Sequence, residues 1–241
     1  MGFPRPPVPS SVRGVRAGAN PFELPPPRDE RELLGRALAL QGRTLAAVAA
    51  EVGAPAPLSG VRAKGKVGEL IERALGARAG TASVPDFTHL GIELKTIPVD
   101  DAGSVQESTF VCRVSLHDAD RAEWDTSAAR AKLACVLWVP IVAPRDGSQR
   151  RVGRAVLWRP TAEEEAMLRS DFEEIMGTIG IGGIEAVTGH AGEVLQLRPK
   201  ADSGRARTWA FGAEGERIAT VPRGFYLRPR FTARILGRRL A

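Results

Sequence analysis

The chain has 241 residues, only two cysteines and a formal charge of +6, with a sequence pI of about 10.0. That length holds one large domain or two small lobes, and the widely separated Cys112 and Cys135 exclude a disulfide scaffold and a zinc module while fitting a reducing, cytoplasmic setting. The basic balance favours an anionic partner, nucleic acid first and an acidic membrane surface second, and no run is apolar enough over sufficient length to span a bilayer.

Residues 1–27 are rich in Pro, Gly and Arg and end in Pro25-Pro26-Pro27. They lack the apolar core of a secretory signal and read as a disordered tail with no role in the fold. Three helices are predicted next, over Arg28–Leu40, Leu45–Val52 (with Thr44 as N-cap) and Lys66–Leu75, with a Gly/Pro/Ser loop at 53–61. After Gly80 the period changes from helical to strand-like. Strands are predicted at Gly91–Val99, with Pro98 at a sheet edge or bend, and at Glu107–Leu116, joined as a hairpin through Asp100–Ser104. Ala134–Val142 reads as a buried strand and Arg154–Trp158 as a short one. Thr161–Thr178 is the clearest helix, capped by Thr161 and loaded with Glu163, Glu164 and Glu165 in its first turn. A glycine-rich connection follows at 177–192, holding the apolar segment Ile184–Val187. Strands at Glu193–Arg198 and Ile218–Leu227 and a basic helix over Phe231–Leu240 complete the chain. Helices first, then strands with one long helix packed on them, predict a mixed α/β (α+β) fold.

The strand at 91–99 carries the chemistry. Period-two alternation puts Glu93 and Lys95 on one face and Ile92 and Leu94 on the other. The apolar pair anchors the strand, and Asp86 in the preceding Pro-Asp turn can fold back beside the charged pair. Two carboxylates and an ammonium at one fixed point suit metal-assisted phosphodiester hydrolysis: the oxygens hold a hard cation and the lysine sits beside an attacking water or a phosphate oxygen. Glu-x-Lys alone is common on solvated strands, and it is Pro-Asp seven positions before the Glu that sharpens it. Glu72, on the preceding helix, is either a solvated position or a further carboxylate facing the site. Lys132 is either a phosphate contact or a helix-end charge.

The last 44 residues hold eleven of the basic residues against three acidic ones, which exceeds the net charge of the whole chain. One end of a cleft can therefore hold metal while the other tracks phosphates. Arg198-Pro199-Lys200 reads as a groove contact or a solvated strand end. In Arg223-Gly224-Phe225-Tyr226, Phe225 is expected in the core and Tyr226 on the opposite face, where arginines and an aromatic can meet DNA. His89, His117 and His190 have no spacing for a metal or a triad and read as structural or solvated. Gly180-Ile181-Gly182-Gly183 lacks the Lys-Ser/Thr of a phosphate loop and reads as a flexible turn.

Gly91-Ile92-Glu93-Leu94-Lys95-Thr96-Ile97-Pro98-Val99-Asp100 resembles the catalytic strand of the MutH family, endonucleases of methyl-directed DNA mismatch repair within the type II restriction-endonuclease-like superfamily. The resemblance continues through Thr109-Phe110-Val111-Cys112, Trp124, Thr126-Ser127, Leu137-Trp138, Arg150-Arg151-Val152-Gly153, Leu197 to Ala201, Gly215 to Ile218 and Pro222 to Leu227, and covers roughly residues 28–240. It implies a central mixed sheet flanked by helices, with two arms around a DNA cleft: an N-terminal arm with the metal site and a C-terminal arm that reads DNA. It implies Mg²⁺-dependent nicking, with Mn²⁺ as a substitute, of the unmethylated strand at hemimethylated GATC in double-stranded DNA. MutL would stimulate the reaction after MutS finds a mismatch, with the enzyme a cytoplasmic monomer away from membranes. Asp86, Glu93 and the Leu94 carbonyl are the implied metal ligands. Lys95, Glu72 and Lys132 are the other implied catalytic residues, and Lys64, Phe110, Arg198, Lys200 and Tyr226 the implied DNA contacts, with Tyr226 sensing adenine methylation. Rival readings are a restriction enzyme that cuts both strands of unmethylated GATC and a DNA-binding relative without catalysis. The proline-rich N-terminus and the loops at 103–106, 117–123 and 143–149 depart from the family pattern.

Overall fold

The computed structural model describes residues 24–56, 63–77, 84–143, 149–200 and 205–237; the side chains of Ala63 and Lys64 lie outside this description. Three helices come first: α1 (Glu30–Ala39), α2 (Leu45–Glu51) and α3 (Ala63–Leu75). Asp29 caps α1 by accepting the Glu32 N–H at 2.8 Å, and Thr44 caps α2 through the Ala47 N–H. The mixed part then runs β1 (Glu93–Val99), β2 (Thr109–Arg113), α4 (Ala128–Leu133), β3 (Val136–Val142), β4 (Arg151–Val152), β5 (Val156–Trp158), α5 (Ala162–Gly180), β6 (Leu195–Pro199), β7 (Thr208–Phe211), β8 (Arg217–Thr220), β9 (Arg223–Leu227) and α6 (Pro229–Gly237). The expected capping of α5 is present as a full capping box between Thr161 and Glu164.

One sheet has the order β1-β3-β4, with β5 also on β3, and β1 and β3 run parallel. The alternation of β3 explains its position at the centre. Leu137, Val139 and Ile141 enter a core made with α1, α2 and α3, while Val136 and Trp138 enter a second core with α5, α6 and β9. Pro140 has no N–H to offer on the far side, and the neighbouring strand is broken opposite it: β4 stops at Val152 and β5 resumes at Val156. Gly153 closes that gap by donating to the Pro140 carbonyl at 2.7 Å, and a Cβ at this glycine would meet the Pro140 ring at 3.0 Å.

A second sheet has the order β2-β9-β6, and β7 and β8 form a separate pair. This corrects two expectations. The predicted hairpin between the first two strands does not form. Asp100 does make the turn, accepting the N–H groups of Ala102 and Ser104, but only Val99 and Val105 bridge, and β2 leaves to pair with β9. The predicted strand 218–227 is two strands in two sheets, separated around Pro222, which breaks the ladder for want of an N–H. The segment Ile184–Ala186 is a 3₁₀ turn, and the predicted C-terminal helix begins earlier, at Pro229. The expected tail also ends sooner than residue 27. Pro27 is buried and its carbonyl meets His89 Nε2 at 2.7 Å, while the Pro25 carbonyl accepts from Arg36 Nη1. Residues 1–23 lie outside the described residues. Both cysteines are buried and free, and burial pushes the Cys112 thiol up to about 11.

The second sheet is fastened to α5 by one buried carboxylate. Asp171 accepts the backbone N–H groups of Glu193, Val194 and Leu195, each at 2.7 Å, at the entry to β6. Replacing it with alanine would leave buried donors unpaired. Asp171→Ala is expected to cost about 3 kcal/mol of unfolding free energy in urea titration; a change below about 0.5 kcal/mol would contradict the fastening role.

Candidate active site and DNA-facing cleft

β1 is an edge strand, and its alternation builds the site. The Glu93 N–H donates to the Cys135 carbonyl, towards β3, so the backbone polar groups of Leu94, Thr96 and Pro98 face the open edge. Pro98 therefore sits where an N–H would go unused, as its position in the sequence predicts. The Leu94 N–H is met by Asp86 Oδ2 at 2.8 Å, and the Leu94 carbonyl faces the same edge. Asp86 is carried there by a closed loop: Phe87, fully buried, exchanges backbone hydrogen bonds with Ile92, and a 3₁₀ turn at Thr88–Leu90 ends on Gly91 at φ 65°. A side chain at residue 91 would be strained in that conformation.

Side chains then converge. Glu93 is 1% exposed on the face opposite Leu94. Its Oε1 accepts from Lys95 Nζ at 2.6 Å and from Lys132 Nζ at 2.9 Å, and its Oε2 accepts from Lys132 Nζ at 3.0 Å. Lys132, itself buried, arrives on α4, a helix capped by Ser127 and tied to α5 through Arg130 and Glu165. Lys132 lies in the last turn of α4, yet it is buried and its ammonium lies against Glu93 rather than in solvent. Glu72, on α3, lines the same cleft as Lys95.

Two of the carboxyls are held above their ordinary range, chiefly by burial. Burial, then the neighbouring Glu93 carboxylate, raise Asp86 above its ordinary range; burial, then Asp86 and Glu69, raise Glu72. Among the described residues, no three His, Cys, Asp or Glu side chains form a group able to hold a metal ion by themselves. The donors present are Asp86, Glu93 and a backbone carbonyl, all oxygen. That set fits a small hard cation, which is held by one or two carboxylates and completes its shell with water and phosphate oxygens. A cation would also relieve the mutual repulsion that raises Asp86.

The cleft in front of β1 has a volume of about 690 Å³, and its walls include Glu72, Lys95, Phe110, Lys200 and Tyr226. Phe110 on β2 and Tyr226 on β9 are register partners whose rings meet edge to face, 5.3 Å apart. Lys200 Nζ lies 4.8 Å from the Phe110 ring centre, and the Arg198 guanidinium 5.7 Å from that of Tyr226. Phe225, the residue before Tyr226, points into the core as expected and packs on Phe172. Thus four of the five expected DNA-contacting residues form one cation–aromatic row; the fifth, Lys64, lies in the first turn of α3 with its side chain outside the described residues. Sequence reasoning missed Gly224. A Cβ there would meet Phe110 Cε2 at 2.8 Å and the Cys112 carbonyl at 2.9 Å, so only glycine lets the Phe110 ring lie across β9.

Comparison with known proteins decides the family. Over 217 residues the chain is 48% identical to the DNA mismatch repair protein MutH of Escherichia coli strain K12, a stretch covering 89% of this chain and 95% of that protein. The same figures hold for MutH of Escherichia coli O9:H4 strain HS and of Shigella boydii serotype 18. The chain belongs to the MutH family. A family model described as the DNA mismatch repair enzyme MutH matches residues 75–171, which contain β1, the Asp86 loop and Lys132. The expectations of a mixed α/β, restriction-endonuclease-like fold and of a DNA mismatch repair endonuclease are met. MutH membership carries DNA binding and a divalent metal cofactor with it. No described helix is long and apolar enough to cross a membrane.

The raised carboxyls give a pH signature. A carboxyl whose folded pKa lies above its unfolded value contributes stability at low pH and loses it as pH rises through the raised value, so at neutral pH it is a cost. Asp86→Asn and Glu72→Gln should therefore each raise the melting temperature at neutral pH, with the gain fading towards about pH 4. Calorimetry at both pH values checks this; a lower melting temperature at neutral pH would contradict it.

Proposed function

We propose that this protein nicks the unmethylated strand of double-stranded DNA at hemimethylated GATC sites, using Mg²⁺, with Mn²⁺ as a substitute. The observation that supports this best is that Lys95, which is bonded to Glu93, and Glu72 line one cleft with Phe110, Lys200 and Tyr226 of the cation–aromatic row. A duplex lying across the row would present its backbone to Lys95.

In this reading Asp86, Glu93 and the Leu94 carbonyl would hold the metal, which would supply Lewis acidity and a more acidic bound water. Lys95 orients the attacking water and steadies charge on the phosphate. Lys132, bonded to both oxygens of Glu93, fixes the plane of that carboxylate, and Glu72 adds a further acid on the α3 side of the cleft. Arg198 reads a guanine edge. Tyr226 senses the adenine: a methyl on N6 replaces one donor with bulk in the major groove, which an aromatic in close contact resists. Phe110, Lys200 and Lys64 position the duplex. The protein works as a cytoplasmic monomer with two arms, and MutL stimulates nicking by favouring closure of those arms after MutS has found a mismatch.

Strand-resolved cleavage of hemimethylated and unmethylated GATC duplexes, with and without MutL and ATP, tests the reading. Nicking confined to the unmethylated strand and increased by MutL is expected. Efficient double-strand cutting indifferent to MutL would instead favour the restriction-type reading. Glu93→Ala and Lys95→Ala should each lower the rate by roughly a thousandfold, since each removes several kcal/mol of transition-state stabilisation. Retained activity in either would overturn its assignment.

A further inference from the structure

β6 presents Leu195 and Leu197 to the core and Gln196 and Arg198 to the opposite face. Gln196 lies directly across from Tyr226 and is only 5% exposed, a position where an apolar side chain would be cheaper to bury. Its amide is aimed across the sheet: Nε2 donates to Ser108 Oγ at 2.8 Å. Ser108 immediately precedes β2, and its hydroxyl accepts a second hydrogen bond, from Arg198 Nη1, at 3.1 Å. A hydroxyl has two lone pairs, so it can serve both donors at once. Arg198 itself is exposed, with its guanidinium over the Tyr226 ring.

We propose that Ser108, held in place by the buried Gln196, is a positioning residue for Arg198 and thereby sets how sharply the enzyme discriminates its recognition sequence. The inference rests on the reading of Arg198 as the residue that meets a guanine edge. A bidentate arginine contact needs the guanidinium plane fixed before the base arrives, since ordering a long, exposed side chain at that moment would offset part of the gain. The Tyr226 ring fixes the height of the guanidinium, and the Ser108 bond fixes its rotation about the stacking axis. Two points define the fork; one does not. Because Tyr226 sits between Gln196 and Phe110 in register, the same row couples the guanine-reading group to the methyl-sensing ring.

The test compares kcat/KM on a hemimethylated GATC duplex with that on duplexes carrying single base replacements within the site, using the full-length protein. Ser108→Ala should lower the discrimination ratio by roughly five- to tenfold, out of the larger loss in Arg198→Ala. Gln196→Met, which keeps the volume of the buried side chain, should lower it in the same direction, and Ser108→Thr, which keeps a hydroxyl, should restore it. The double variant Ser108→Ala with Arg198→Ala should be no worse than Arg198→Ala alone, the signature of one residue acting through another. A merely structural role would lower activity on all duplexes and leave the ratio where it was, and that result overturns the proposal. Loss of discrimination in Arg198→Ala with none in Ser108→Ala and Gln196→Met overturns the positioning role alone. Unchanged discrimination in Arg198→Ala overturns the reading of Arg198 and the positioning role with it.

Discussion

A single buried carboxylate, Glu93, holds the site together. It is almost wholly removed from water and is shared by two ammonium groups, Lys95 from its own strand and Lys132 from α4. A lone charge at that depth would be costly, and breaking a buried pair by removing one partner leaves the other uncompensated. The three side chains must therefore arrive together. Their arrival demands that α4, packed on β2, reach β1 through Lys132, and that α5 hold α4 through Glu165 and Arg130. Stability and chemistry are drawn from the same contacts here.

The same cluster is unbalanced on its open side. Asp86 and Glu72 face it, and burial together with like-charge repulsion raises both despite the nearby lysine ammoniums. Such carboxyls sit at a cost that a divalent ion would relieve. A site of this kind is weak until substrate supplies the missing oxygens, because two carboxylates and a carbonyl leave most of a hard cation's shell to water and ligand.

How much of this was legible in the sequence depended on the range of the interaction. Local rules carried far: the alternation of Glu93 and Lys95 against Ile92 and Leu94, the edge position implied by Pro98, the cap at Thr161, and the opposite faces of Phe225 and Tyr226 all follow from periods of two and 3.6 and from proline's missing N–H. Partnerships between distant segments did not carry. A hairpin turn at Asp100 is real, yet β2 pairs with β9 more than a hundred residues away, and no local signal announces that choice. Lys132 stayed ambiguous because its neighbours in sequence say nothing of Glu93. Gly224 and Gln196 read as ordinary strand residues until Phe110 and Ser108 are seen across the sheet. The family resemblance, in turn, named candidate residues that local pattern left open, among them Glu72 and Lys132.

Holding a cation beside Asp86 would require Glu93 to leave part of its lysine pairing. Calorimetric titration of Mn²⁺ into the protein bound to an uncleavable GATC duplex tests it without relying on turnover. Saturable binding by the wild type, weakened by at least about tenfold in Glu93→Gln, is the predicted result. Equal Mn²⁺ affinity in the two proteins would contradict it.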